Sequence, residues 1–67
     1  MKIYAARDED GKLWLYFDKK PIKNGELWLP QDDYCETTED LPSVKWEDAE
    51  PTEVYFDEND SHKLKVK

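Results

Sequence analysis

The clearest alternation in the chain lies at residues 2–18, where Ile3 and Ala5, then Leu13, Leu15 and Phe17, occupy every second position around Asp8-Glu9-Asp10-Gly11. A period of two is the signature of strands. Asp at the first and Gly at the fourth position predict a type I turn followed by a left-handed glycine in a G1 bulge. That turn sets a register: Asp8 faces Lys12, Arg7 faces Leu13, Ala6 faces Trp14, Ala5 faces Leu15, Tyr4 faces Tyr16, Ile3 faces Phe17 and Lys2 faces Asp18. Ile3, Ala5, Leu13, Leu15 and Phe17 then form one face, the predicted core. Tyr4, Ala6, Trp14 and Tyr16 form the other, which is too aromatic for an ordinary solvent face.

Pro21 interrupts any continued strand, and Asn24-Gly25 supplies a second turn before a short strand at residues 26–29. Placed beside the first hairpin, that strand would add Leu27 and Leu29 to the aliphatic face and Trp28 to the aromatic one. Residues 31–51 are less regular. Thr37 or Thr38 followed by Glu39-Asp40-Leu41 allows one helical turn before Pro42, and in a brief extended segment Val44 and Trp46 would share a face. Residues 52–56 read as a strand with Val54 and Phe56 inward and Glu53 and Tyr55 outward. Lys63-Leu64-Lys65-Val66-Lys67 alternates too, and residues 57–67 form either a pairing strand or a frayed basic tail. The expectation is a mostly β protein: a small twisted antiparallel sheet of three to five strands built on the N-terminal hairpin, with an acidic irregular loop and at most one short helical turn. Whether the strand at 52–56 joins that sheet or packs across it is left open.

A chain of 67 residues holds one domain, residues 1–67. Cores of this size rarely supply more than roughly 3–5 kcal/mol, and such chains often add disulfides, a metal or a partner. Cys35 is the sole cysteine, which excludes an intrachain disulfide and a cysteine-rich metal cage. A lone thiol fits a reducing cytoplasm better than secretion, and neither a signal peptide nor a membrane span is legible.

The net charge is −7, which opposes nucleic acid and anionic lipid. Its distribution is uneven. Residues 1–30 carry six basic and five acidic side chains, whereas residues 31–60 carry one basic and twelve acidic; Lys63, Lys65 and Lys67 follow. One region is therefore a concentrated negative field beside a basic strip. It is a solubilising surface or a contact surface for a basic protein.

Catalytic chemistry finds little support. His62 is the only histidine, and it reads as a solvated or turn-capping side chain between a polar turn and a basic strand; nothing identifies an orienting group for a pair with Cys35. Asp57-Glu58-Asn59-Asp60-Ser61 resembles the start of a calcium loop but lacks its central glycine and closing glutamate. Asp32-Asp33 and Glu47-Asp48 read as loop charge, and Gly11 and Gly25 serve turns, not a phosphate-binding loop. The expectation is therefore a protein that is not an enzyme and uses no cofactor or metal.

Two stretches, Tyr4-Ala5-Ala6-Arg7-Asp8-Glu9-Asp10-Gly11 running into Leu13-Trp14-Leu15-Tyr16, and Val44-Lys45-Trp46-Glu47-Asp48-Ala49-Glu50-Pro51-Thr52-Glu53-Val54, resemble a group of short uncharacterised proteins of gut bacteria and their phages or mobile elements. The resemblance covers most of residues 2–56 and implies a single intact domain; it carries no activity. From the residues, the expected role is a noncatalytic protein-interaction domain whose aromatic face, Tyr4, Trp14, Tyr16 and Trp28, contacts a protein partner, in the simplest case a second copy in a homodimer. The competing arrangement folds residues 31–51 over that face and buries Trp14 and Trp28 with Trp46. An alternative function presents Glu47, Asp48 and Glu50 as a nucleic-acid mimic to a basic protein surface.

Overall fold

The turn at Asp8-Glu9-Asp10-Gly11 forms as its residues dictate. In a computed structural model describing residues 1–39, 41–60 and 63–67, Gly11 has φ +93° and donates its N–H to the Asp8 carbonyl at 2.9 Å, while Asp8 N–H bonds the Lys12 carbonyl at 3.0 Å. A Cβ on Gly11 would meet nothing within 4 Å. The glycine is thus needed for its left-handed backbone and not for space. The turn joins β1 (Ile3–Arg7) to β2 (Leu13–Phe17) in the predicted register, Ile3 opposite Phe17 through Arg7 opposite Leu13.

Around this hairpin the chain builds an open five-stranded antiparallel sheet and a separate two-stranded ribbon. The ribbon is β3 (Ile22–Asn24) and β4 (Leu27–Leu29); the sheet adds β5 (Tyr34–Thr37), β6 (Thr52–Phe56) and β7 (Leu64–Val66) in the order β5-β2-β1-β6-β7. β6 therefore joins the first sheet beside β1, with Ile3 opposite Val54, and β7 pairs with β6 as a strand. No helix forms among the described residues. The predicted helical turn includes Asp40, which lies outside the described residues, as do Ser61 and His62.

The aliphatic face is the core. Ile3, Ala5, Leu13, Leu15, Val54 and Leu64 are buried there beneath Leu41 and Val44, with Phe17 half-buried at the margin. Arg7 holds the covering segment in place. Its Nε donates to the Val44 carbonyl at 2.8 Å, Nη1 to Gly11 at 2.8 Å and Nη2 to Leu41 at 3.2 Å. The segment leaving β5 reaches the opposite sheet edge, where Glu39 Oε1 accepts the Leu64 N–H at 3.2 Å.

Three expectations are corrected. The strand at 26–29 does not extend the sheet: β4 pairs with β3, and Leu27 and Leu29 are exposed because their register places them opposite Asn24 and Ile22 on the outer side of the ribbon. Residues 34–37, expected to be irregular, form edge strand β5. Val44 and Trp46 face opposite sides of the molecule, since the chain turns at residues 45–48 through Asp48 Oδ2, which accepts the Lys45 N–H at 3.0 Å. In addition, Phe56 is 41% exposed at the end of β6 and not inward as its alternation suggested.

Candidate interaction surfaces

The aromatic face carried the predicted contact residues, and the ribbon closes it. Tyr4, Ala6, Tyr16 and Trp28 are buried together, with Trp14 and Trp46 half-buried against them. Trp28 is pinned at both ends of its residue: its N–H donates to Asp8 Oδ1 and its Nε1 to the Arg7 carbonyl, each at 3.1 Å. Asp8, expected to sit at the margin facing Lys12, is consequently buried. Lys23 projects inward from β3. Its ammonium lies 4.1 Å from the Trp46 ring centre and 5.4 Å from that of Trp28, and it donates to the carbonyls of Trp46 and Asp48. A cation held between two ring faces and two carbonyls ties the acidic loop to the ribbon.

Tyr4, Tyr16 and Trp28 are therefore scaffold rather than an open contact face, and Trp14 keeps only partial access. The cover is the ribbon together with Trp46 and the Tyr34 ring, and only the latter two belong to the competing arrangement. Burial, with the nearby Asp8 carboxylate and Tyr34, pushes the Tyr16 phenol well above its ordinary range. Trp14 Nε1 is buried without an acceptor among the described residues.

The acidic residues Glu47, Asp48 and Glu50 lie in one loop, but two of them have local partners. Asp48 caps the turn at Lys45, and Glu50 pairs with Lys20 at 3.7 Å across exposed surface. Glu47 borders an open hollow with Arg7, Asp8, Lys45 and Trp46. Arg7 spends its guanidinium on three backbone carbonyls, so the hollow has no free arginine fork for an anion. Cys35 is exposed on β5, opposite Leu15. The contemplated Cys35–His62 pair lies partly outside the described residues. Among the described residues no group of three or more His, Cys, Asp or Glu could hold a metal, and no helix is long and apolar enough to cross a membrane.

Two surfaces not anticipated as sites are exposed. On the ribbon, Ile22 and Leu29 are directly opposite and Leu27 is beside them, 55%, 42% and 50% exposed respectively. Their inward neighbours are Lys23 and Trp28, so the ribbon has one face inserted into the molecule and one aliphatic face in water. Gly25, at φ +61° in the first central position of a two-residue turn, fixes this phase. The second is the free edge of β5, where Tyr34 is 53% exposed and stacks on Tyr16 at 6.2 Å and against Trp14 at 5.8 Å. The sequence signal for the ribbon was the Ile-x-Asn-Gly-x-Leu-x-Leu order; the turn and the second strand were legible there, but not their pairing with residues 22–24 or the face that would be left open. Comparison of the chain with protein-family models, curated proteins and solved structures finds no match.

Proposed function

We propose that the protein is a noncatalytic interaction domain that self-associates through the outer face of the β3–β4 ribbon. The observation carrying this reading is the exposed trio Ile22, Leu27 and Leu29, contiguous on one side of a ribbon whose other side is packed. A second copy is the simplest occupant, because a patch of three aliphatic side chains is self-complementary about a twofold axis. A small core gains most from added apolar burial where no disulfide can form. Three side chains fall short of the roughly 800 Å² per partner of a standard interface, so the dimer is weak and concentration-dependent.

Light scattering across a concentration series tests this. The wild type should shift toward twice the monomer mass as concentration rises, and Leu29→Glu should remain monomeric with an unchanged circular dichroism spectrum, because Leu29 is exposed and belongs to neither buried cluster. A wild type that stays monomeric throughout overturns the proposal, as does a folded Leu29→Glu variant that dimerises equally well.

A further inference from the structure

The two edges of the sheet are built alike and finished differently. In an antiparallel ladder, successive residues turn their backbone groups alternately toward one neighbour and the other. Phe17 N–H bonds the Asp33 carbonyl at 2.9 Å, so with Cys35 opposite Leu15 and Thr37 opposite Leu13, that carbonyl and the backbone groups of Cys35 and Thr37 face β2, while Asp33 N–H turns back to Asp32 Oδ1 at 2.9 Å. Those of Tyr34 and Glu36 face outward. On β6, Asp57 N–H bonds the Lys63 carbonyl at 2.9 Å and Lys67 N–H bonds the Glu53 carbonyl at 3.0 Å, so Glu53, Tyr55 and Asp57 face β7.

Alternate positions repeat an order of acid, tyrosine and acid, Glu53-x-Tyr55-x-Asp57 along β6 and Asp32-x-Tyr34-x-Glu36 along β5, with Asp32 in the bend just before the strand. They also share a side of the sheet, since Glu53 is opposite Tyr4 and Tyr34 is opposite Tyr16. On β6 this edge is occupied by a strand with lysine at every second residue. Lys65 is opposite Tyr55 and reaches Asp57 at 3.2 Å, and Lys67 reaches Glu53 at 2.8 Å. At β5 no described residue occupies it, and Asp32, Asp33 and Glu36 enter no ion pair among the described residues. The chain between Lys23 and Lys45 contains no basic residue at all. The outer β7 edge, by contrast, is guarded by its lysines and by the Glu39 carboxylate on Leu64 N–H.

We propose that the free edge of β5 binds an extended segment of a partner protein bearing lysine or arginine at every second position, paired antiparallel through the backbone of Tyr34 and Glu36. Backbone hydrogen bonds supply the attachment; Asp32 and Glu36, with the Tyr34 ring between them, select the alternating cations. This site is separate from the ribbon face.

The probe is a capped peptide repeating the Lys-x-Lys-x-Lys order of β7, titrated into the full chain and followed by amide resonances. The peptide should slow solvent exchange of the Tyr34 and Glu36 amides, weaken with salt, and bind Leu29→Glu as it binds the wild type. Asp32→Asn with Glu36→Gln should lower affinity about tenfold. Glu36→Pro, which removes an outward N–H that β2 does not use, should abolish binding; the double neutralisation decides the matter if that variant fails to fold. No binding at about 1 mM peptide overturns the proposal, and so does equal binding of a peptide of the same composition with contiguous lysines, since charge alone would then suffice. Protein self-association abolished by the double neutralisation would place the β7 strand of a second copy at this edge and likewise overturn the partner reading.

Discussion

Arg7 and Lys23 divide the task of fastening the acidic loop, one on each side of the sheet. Arg7 needs a planar fork because its three acceptors, the carbonyls of Gly11, Leu41 and Val44, belong to two separate segments. A lysine there keeps the charge but loses the geometry. Arg7→Lys should therefore lower stability by about 2 kcal/mol, the scale of hydrogen bonds made by a charged donor, measured as a reduced urea midpoint with an unchanged slope. A shift indistinguishable from zero would mean that Leu41 and Val44 hold the loop by burial alone. Neither role was legible beforehand. Arg7 ends a strand and Lys23 follows Pro21-Ile22, and a cation reaching a distant carbonyl leaves no periodic trace in sequence.

Among the elements, β1 and β2 were readable residue by residue, because an Asp-x-x-Gly turn dictates register locally. β5 was not: Tyr34-Cys35-Glu36-Thr37 has no apolar alternation, since its first three residues are exposed and only Thr37 is half-buried. The ribbon was half legible, for Asn24-Gly25 announces a turn but says nothing of where the ribbon lands. β7 shows how charge finishes an edge. A hydrogen bond from Lys67, reinforced by its charge, holds the Glu53 carboxyl below its ordinary range, and Glu53 in turn raises Lys67. The Asn59 N–H and then Lys65 lower Asp57. Both carboxyls take up protons more readily when unfolded, so their contribution is complete above the ordinary carboxylate range and is lost as pH falls through the lowered folded values. Acidification should detach β7 before the hairpin. Nuclear Overhauser contacts between Tyr55 and Lys65 should fade below that range while those between Tyr4 and Tyr16 persist; simultaneous loss would show that β7 is not separable.

For the whole molecule, the sequence pattern sufficed to identify an antiparallel sheet on an N-terminal hairpin, whereas the strand order needed long-range packing. Nothing in residues 52–56 specifies β1 as neighbour; Val54 reaches Ile3 because the remaining aliphatic face lies there. The order β5-β2-β1-β6-β7 has a kinetic consequence. Only β1–β2, β3–β4 and β6–β7 form by short closures, and the Ile3–Val54 pairing must close nearly the whole chain, a loop-entropy cost met before its contacts return anything. The central hairpin is thus the natural nucleus, and β6 with β7 docks after the rate-limiting barrier. Gly11→Val, at a cost of roughly 1 kcal/mol or more, should appear mainly as about fivefold slower refolding. Val54→Ala, at about 2 kcal/mol, should appear mainly as faster unfolding with the refolding rate nearly intact. Stopped-flow rates across denaturant separate the two. A reversed partition would place the long-range pairing in the nucleus, and would make the most distant strand pairing in the chain its first.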